Sequence, residues 1–225
     1  MNKLISEGLY FARSNFGAIF NIAGPYILIV SVIEPFMGAL GQWPEYQWIH
    51  VLYLFISGGM YTYVMVRLIK LMASVVAGQA FDLSVSLSEW YRLSIVYLIY
   101  GIAVLIGIIA LIIPGLFFAA RYSFAQFESV LCGVKPVKSL SLSWAQTRSV
   151  TSKLMLITAL AGGCQILIDL PLGYIGNMSL ALEFGAVMVS KLIGLCVAVF
   201  VPIICFRLYV LNIEANTSPV EETKV

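Results

Sequence analysis

Five ionisable residues stand inside long apolar runs of this sequence, where a charge needs a partner. They are Glu34, Arg121, Glu128, Asp169 and Lys191. An ionisable side chain at membrane depth costs about 2.5 kcal/mol or more on insertion scales, so each must find an opposite charge or water. The pattern fits a polar cleft that holds an anionic headgroup or a small polar solute. The alternative is structural, because buried ion pairs can fix helix register and charges near the interface can reach into the headgroup layer.

The spacing of these residues restricts which of them can pair. Arg121 and Glu128 are seven residues apart, which places them on one helix face, separated by about 10 Å at about 1.5 Å per residue. Arg121 is therefore expected to meet Glu34 or Asp169 from a facing span, and Lys191 to meet the other. Glu34 and Lys191 are expected to extend their charges into the headgroup layer. Arg121 lies deeper in its span, so a purely structural role is harder to assign to it than to the other four residues.

Glu128 is expected to face the opposite half of the membrane, near Arg67 or Arg148. A proton relay through Glu128 would need a second carboxylate on a facing span at similar depth, and the sequence offers none. Glu128 therefore counts as a member of the same intramembrane cluster, with a ligand-binding or a structural role.

Tryptophans and basic residues flank the apolar runs on one side and form a second candidate site. They are Trp90, Arg92, Lys135, Lys138, Trp144 and Arg148. Basic residues near an anionic leaflet gain about 1 kcal/mol each from its potential, so this set can recognise anionic lipid or a partner protein. The more common alternative is that such residues only anchor a loop at the interface.

Other site chemistries lack the residues they need. His50 is the single histidine, so histidine-based metal sites and catalytic triads have no second member. None of the cysteines forms a C-x-x-C spacing, and all four lie in apolar runs, where they are interpreted as small packing residues: Cys132, Cys164, Cys196 and Cys205. We expect no metal and no other cofactor. Because titratable groups do not converge, the chain is predicted not to be an enzyme.

The elements that position these residues follow from composition. An apolar fraction of 61% with 11% charged residues differs strongly from the soluble average of about 45–50% apolar and about 25% charged. A transmembrane helix needs about 20 apolar residues, and the chain offers six such runs, at 16–40, 49–72, 93–113, 116–132, 154–172 and 186–211. We predict an all-α integral membrane protein of six transmembrane helices, arranged as three hairpins, each preceded by an amphipathic interfacial helix.

The distribution of lysine and arginine predicts the orientation. All but Arg121 and Lys191 of the 13 basic residues fall on one side of the six-span arrangement, which places both termini in the cytoplasm. The expected parts are an interfacial amphipathic helix at 1–15, a transmembrane domain at 16–211 with interfacial segments near 83–92 and 136–150, and a disordered cytoplasmic tail at 212–225.

The central third of the chain carries a family resemblance. Its motif consists of Ile113-Pro114-Gly115, Arg121, the turn Gly133-Val134-Lys135-Pro136, and then Ser141, Ser143 and Trp144. This motif resembles the YciC-like family of uncharacterised bacterial inner-membrane proteins, and is similar to the membrane domain attached to some glycerophosphodiester phosphodiesterases. The resemblance implies a six-span protein of a bacterial cytoplasmic membrane. It implies no hydrolase chemistry, because the phosphodiesterase domain has no counterpart here.

Two functions are compatible with these observations. The first is a non-enzymatic multi-pass protein that interacts with membrane phospholipids or acts as a scaffold, with a partner membrane protein or a second copy of itself, and without nucleic acid. The second is a transporter or channel-like subunit that passes a small solute or lipid along a polar face of the fourth span. A pathway would need polar residues from both sides of the membrane, whereas the intramembrane charges lie chiefly in the outer half.

Overall fold

The computed structural model describes residues 2–41, 43–79, 84–176 and 179–217, and every regular element in these ranges is helical. In chain order the helices are α1 Asn2–Ser14, α2 Phe16–Gly41, α3 Gln47–Ala77, α4 Leu87–Ala110, α5 Ile112–Tyr122, α6 Ala125–Leu131, α7 Pro136–Gln146, α8 Thr151–Gly176 and α9 Leu180–Thr217. Short 3₁₀ turns at Pro44–Tyr46 and Thr147–Ser149 precede α3 and α8. The predicted all-α class is confirmed.

Five helices of the described chain are long and apolar enough to cross a membrane. The candidate spans are Phe16–Met37, Gln47–Ala77, Leu87–Ala110, Thr151–Ile175 and Ala181–Glu214. They correspond to the first, second, third, fifth and sixth predicted spans, and they are compatible with a multi-pass membrane protein.

The predicted fourth span, 116–132, is not one continuous helix. Its residues belong to α5 and α6, which are separated by a break at Ser123 and Phe124. The Ser123 hydroxyl donates to the Ala120 carbonyl over 2.8 Å, and such local side-chain bonds compete with the helical backbone ladder. The prediction of a single helix was wrong because it considered hydropathy and length without this competition.

The turn between α4 and α5 also differs from the prediction. We expected the third span to stop at Pro114, but α4 ends at Ala110 and only Leu111 is extended, with φ −169° and ψ 152°. Pro114 therefore lies in the first turn of α5, where its missing N–H costs nothing. Glycines let the two helices touch, because a Cβ built on Gly107 would lie 2.8 Å from the Gly115 Cα.

The predicted interfacial segments have three different outcomes. The segments at 1–15 and 136–150 are separate helices, α1 and α7, the latter followed by a 3₁₀ turn. In the segment near 83–92, the described residues hold no separate helix. Ser86 and Glu89 form a capping box that starts α4 directly, so Trp90 and Arg92 lie in the first turns of a spanning helix. Of the predicted disordered tail, residues 212–217 are helical in α9, and 218–225 lie outside the described residues.

The hydrophobic core is concentrated at one end of the bundle. Its largest fully buried side chains include Met65, Met72, Leu93, Phe124 and Phe127. We call this end the packed end; there α6 packs against α7 and the second half of α3, and its rings meet Tyr209 of α9. At the opposite end, which we call the open end, α2 leads into α3 and α8 leads into α9. Long stretches of apolar side chains are exposed there, as a lipid environment requires.

Candidate binding cavity and the buried charges

The break between α5 and α6 is stabilised by hydroxyl groups of α7. The Ser143 hydroxyl donates to the Arg121 carbonyl over 2.7 Å and accepts from the Phe124 backbone N–H over 3.1 Å. Thr147, one turn further along α7, donates to the same Arg121 carbonyl. Ser143 is fully buried, so it satisfies backbone groups that would otherwise lack partners in an apolar interior.

Arg121 is buried beside α7 and not beside the acidic residues of the facing spans. Only 7% of the residue is exposed. Its guanidinium carbon lies 4.4 Å from the centroid of the Trp144 ring, and its Nη1 donates to the Thr151 hydroxyl over 3.4 Å. The expected contact with Glu34 or Asp169 is therefore wrong. The reason is that α5 ends at the packed end, where the Arg121 side chain meets α7 and the first turn of α8. Glu34 and Asp169 lie toward the opposite ends of α2 and α8.

Glu128 is held by neutral donors. Its Oε1 accepts from the Gln146 amide over 2.8 Å and from the Tyr209 hydroxyl over 3.0 Å, and the residue is only 5% exposed. Within the described part of the chain, no lysine or arginine nitrogen lies within ion-pair distance of it, so the expected approach of Arg67 or Arg148 is wrong. The carboxylate links α6, the end of α7 and α9, which is a structural arrangement.

The remaining members of the predicted intramembrane cluster lie at the open end. Lys191 forms an ion pair with Glu34 over 2.9 Å, which confirms that Lys191 meets one of the two expected acids. Asp169 takes no part in this pair. Its Oδ1 accepts from the Gln165 amide over 2.8 Å and from the Ser190 hydroxyl. The predicted cluster is thus divided into two groups at opposite ends of the bundle.

The predicted interfacial set is also divided. Trp90 donates its indole N–H to the Gly59 carbonyl over 2.9 Å, which ties α4 to α3. Trp144 packs against Phe117, Phe118 and Tyr122 as well as Arg121. These internal contacts favour the anchoring interpretation for both tryptophans.

The basic members of that set are mostly free to meet a membrane surface. Lys135, Lys138 and Arg148 are exposed, whereas Arg92 is half-buried. Their placement is compatible with lipid contact but does not by itself make a site, because exposed charges of this kind are common beside membranes.

Ion pairs outside the cluster fasten the helices at the packed end. Lys70 of α3 bonds Glu89 over 2.9 Å and the Ser84 carbonyl over 2.8 Å. On α1, Glu7 accepts from Arg207 over 2.8 Å. This hydrogen bond, with the nearby positive charges of Arg207 and Lys3, lowers the pKa of the Glu7 carboxyl below its ordinary value of 4.5, against a smaller opposing effect of burial.

A cavity of about 600 Å³ lies between α3, α4, α5, α6, α8 and α9. Polar residues line it in two layers. The outer layer, toward the open end, consists of Gln165, Asp169, Ser190 and Lys191, and the inner layer consists of Tyr61, Tyr97, Ser123, Gln126 and Thr158. From Gln165 to Thr158 the layers lie about 10 Å apart along α8, at about 1.5 Å per residue.

The lining between the two layers is mainly apolar. It includes the small residues Ala161 and Gly162 of α8, together with Leu195 of α9 and Tyr100 of α4. In the inner layer, Tyr97 donates to Gln126 Oε1 over 2.7 Å, and the Tyr61 hydroxyl reaches the Ala198 carbonyl over 3.4 Å. The cavity therefore has polar groups at both ends and a mainly apolar middle.

The sequence analysis did not identify this cavity. Gln165 stands four residues before Asp169 in an apolar run, and this i, i+4 spacing places both on one helix face. That spacing was the available signal, but the facing Ser190 and the tyrosines of α3 and α4 could be assigned only from the packing of the helices.

No metal site or disulfide is found in the part of the chain that the structure describes. No three side chains from His, Cys, Asp or Glu come together there in a way that could hold a metal ion. The cysteines are free thiols, and Cys205 alone is buried. The packing interpretation therefore applies to Cys205, whereas the other three lie on the helix surface.

Comparison with known proteins gives no relative for this chain: no family model, no curated protein and no solved structure matches it.

Proposed function

We propose that this chain is a non-enzymatic multi-pass membrane protein that binds an amphipathic molecule, a membrane lipid or a small solute, in the cavity between its helices. The observation that carries the proposal is the cavity of about 600 Å³ with polar layers at both ends and mainly apolar residues between them. Volumes of about 300–1,000 Å³ are typical of sites for small molecules.

The cavity suits a bound molecule because polar groups at membrane depth need partners. In hydrocarbon, an unsatisfied polar group costs several kcal/mol, so an amide or carboxylate is retained there when something bonds to it. Asp169 is exposed beside the cavity, which offers a route of entry from the surface of the bundle. Arg121 and Glu128, the strongest candidates from the sequence, lie outside this lining and serve the packing of the helices.

The proposal of a non-enzymatic role rests on the same lining. Asp169 and Lys191 are the charged groups there, and Lys191 is committed to Glu34. A reaction by general acid and base would need convergent titratable groups near a bound substrate.

We further propose six crossings with both termini in the cytoplasm of a bacterial cell, in the inner membrane. In this arrangement α5 and α6 together form the fourth crossing. Two contacts support it: Gly107 meets Gly115, and Tyr97 bonds Gln126, so the broken segment runs antiparallel along α4. The charge distribution favours cytoplasmic termini. Membership of the YciC-like family and association with a partner membrane protein or a second copy stay predictions.

A transporter is the second candidate, and the helix break favours it. Ser123 and Gln126, on either side of the break between α5 and α6, line the inner layer of the cavity. Secondary transporters bind substrates near the bilayer midplane beside interrupted helices of this kind. Binding is the step that both functions share, so it is tested first.

The test uses two adjacent glycines of α8. Gly162 lines the cavity and Gly163 does not, and a Cβ at either position would meet no atom within 4 Å. Protein is released from membranes under mild conditions as wild type, Gly162→Trp and Gly163→Trp, and co-purified molecules are identified by native mass spectrometry. We expect wild type and Gly163→Trp to retain a bound lipid or solute that Gly162→Trp loses. An empty wild type, or equal retention in all three, contradicts the proposal.

The six-crossing arrangement is tested by the side on which α7 lies. Lys138 is exposed on α7, so Lys138→Cys in a cysteine-free background is labelled in intact cells with a membrane-impermeant maleimide. Six crossings predict protection until the membrane is opened, with Trp48→Cys, an exposed position at the start of α3, labelled at once. Labelling of Lys138→Cys in intact cells contradicts a crossing by α5 and α6.

A further inference from the structure

We infer that the molecule bound in the cavity presents an organic cation, such as an ammonium group, to Asp169 at the outer layer. This inference rests on the proposed function, because it specifies the ligand of the same cavity.

The first step is the incomplete bonding of Asp169. Both of its bonds reach Oδ1, and both come from neutral donors, Gln165 and Ser190. Within the described part of the chain, no cationic side chain lies within ion-pair distance of the carboxylate. Lys191, which follows Ser190 directly, turns to Glu34 instead. The Oδ2 atom of the carboxylate is thus left for a partner from outside the protein.

The second step is the way in which Asp169 is held. The amide nitrogen of Gln165 donates to Asp169 Oδ1, while Gln165 Oε1 is covered by α9, because a Cβ built on Gly194 would lie 3.0 Å from it. Gln165 and Ser190 therefore fix the carboxylate through Oδ1 and leave Oδ2 as the acceptor for a cationic group.

The third step is the aromatic wall deeper in the cavity. Tyr61 and Tyr97 line it with ring centroids 5.6 Å apart, and their hydroxyls are already bonded to Ala198 and Gln126. Their rings therefore offer apolar surface, which suits the apolar body of a ligand whose cationic group lies at Asp169 in the outer layer.

The charges of the open end point the same way. The described residues there include four carboxylates and a single lysine: Glu34, Glu45, Asp169, Glu183 and Lys191. A cleft surrounded by one sign of charge concentrates the opposite ion and speeds its entry. An anionic headgroup, which the sequence alone suggested, would be repelled from this end of the bundle.

The experiment compares two probes of nearly equal shape and opposite charge. Tetraphenylphosphonium and tetraphenylborate are titrated into wild-type protein in phosphatidylcholine nanodiscs, with empty nanodiscs subtracted. We expect saturable binding of the phosphonium and no binding of the borate above the empty discs. Equal binding of both ions would overturn the inference, because it would reveal an apolar cavity without charge selection.

The matched variants are Asp169→Asn and Glu183→Gln. Asparagine keeps the shape of the side chain and removes its charge, so the attraction between opposite charges is lost and we expect at least about tenfold weaker phosphonium binding. Glu183 is exposed near the start of α9 and does not line the cavity, so Glu183→Gln should bind within about twofold of wild type. Unchanged binding in Asp169→Asn, or an equal loss in both variants, would overturn the inference.

The source of the ammonium group is resolved by changing the lipid. Phosphatidylethanolamine in the nanodiscs should weaken phosphonium binding if its headgroup occupies the site, and should leave it unchanged if the occupant is a free amine. Failure of the inference is distinguishable from failure of the proposed function. If Gly162→Trp expels a co-purified molecule while the phosphonium shows no dependence on Asp169, the cavity binds a ligand of another charge class.

Discussion

The packed end and the open end of this protein hold their charged groups in different ways. At the packed end, Arg121 lies on Trp144 and Glu128 accepts two hydrogen bonds, so the charges are enclosed by the protein itself. At the open end, Asp169 is exposed, and both of its hydrogen bonds reach Oδ1. Each end also holds a buried amide oxygen without a donor among the described residues, Gln146 Oε1 and Gln165 Oε1. The two ends therefore differ in the exposure of their charges and not in the number of unpaired polar atoms.

The largest expected effect is at the helix break of the packed end. Ser143→Val removes one of two donors to the Arg121 carbonyl, which Thr147 still bonds, and the acceptor for the Phe124 N–H. The buried Phe124 N–H left without a partner should lower the free energy of unfolding by about 2–3 kcal/mol. Ser141→Val is the control, because Ser141 is exposed on the same helix and should change stability by about 0.5 kcal/mol or less. Both are measured by unfolding in mixed micelles with increasing dodecyl sulfate; equal effects would show that α7 does not stabilise the break.

A somewhat smaller effect is expected where α4 turns into α5. Gly107→Ala places a methyl group against the Gly115 backbone, and overpacking of this kind should cost about 1–3 kcal/mol. Gly101→Ala, on the same helix with open space at its Cβ, provides the comparison in the same unfolding assay. If the two alanine variants are equally stable, the close approach of α4 and α5 does not determine their packing.

The stacking of Arg121 on Trp144 should appear as a coupling. In a double-mutant cycle with Arg121→Met and Trp144→Leu, we expect an interaction free energy of about 1–2 kcal/mol, as for a partly desolvated cation–π pair. The cycle is measured by the same unfolding method. Additive effects would separate the two residues, whereas coupling of Arg121 to Glu34 or Asp169 would contradict the division between the two ends.

The ion pair of the open end should contribute less to stability. Lys191 and Glu34 have side chains that are 45% and 26% exposed, and exposed pairs contribute about 0–1 kcal/mol. Lys191→Met and Glu34→Gln should therefore each lower the free energy of unfolding by about 1 kcal/mol or less. A loss as large as that of Ser143→Val would mean that the open end depends on its charges as much as the packed end does.

The smallest effect is a change with pH in the seating of α1 on α9. The hydrogen bond from Arg207 lowers the pKa of Glu7 below 4.5, so its contribution is fully present above pH 4.5 and is lost as pH falls through the lowered value. A nitroxide on Leu9→Cys, an exposed position of α1, should gain mobility between about pH 5 and about pH 3. With Glu7→Gln added, the mobility should no longer change over this range. A persistent pH response would assign the effect to another group.

The sequence predicted the fold to the level of helices and apolar spans. Composition and the length of the apolar runs predicted the all-α class and six spans, of which five are continuous helices that can span a membrane. The break in the remaining span was harder to predict, since besides the local bond of Ser123 it depends on Ser143, which lies about 20 residues later in the chain. The start of α4 was available in the pattern of Ser86 and Glu89, a capping box that marks a helix N-terminus.

The candidate site was predicted less well than the fold. Asp169 and Lys191 were predicted as charges inside apolar runs, but whether Lys191 would meet Glu34, Asp169 or the headgroup layer was left open, and the structure pairs it with Glu34. Arg121 was given most weight, because an arginine deep in an apolar run has few structural roles that its sequence position alone suggests. The structure shows such a role, since Arg121 packs on the ring of Trp144. Which side of a helix faces a cavity depends on helix rotation and packing, which hydropathy does not encode.

The capping of α4 also makes the connection between α3 and α4 a suitable place to insert a label. Glu89 accepts from both the Ser86 N–H and Lys70, and Lys70 also holds the Ser84 carbonyl. The α4 end of the connection is therefore held by α3 and α4, and at its α3 end the Gln79 N–H donates to the Ser74 carbonyl. Because loop-closure entropy rises by only about 0.6 kcal/mol for each doubling of loop length, an epitope or fluorescent reporter inserted between Gln79 and Ser84 should leave the bundle intact. Such an insertion would give antibodies or single-molecule tethers a fixed point on a protein that otherwise offers little surface outside its helices.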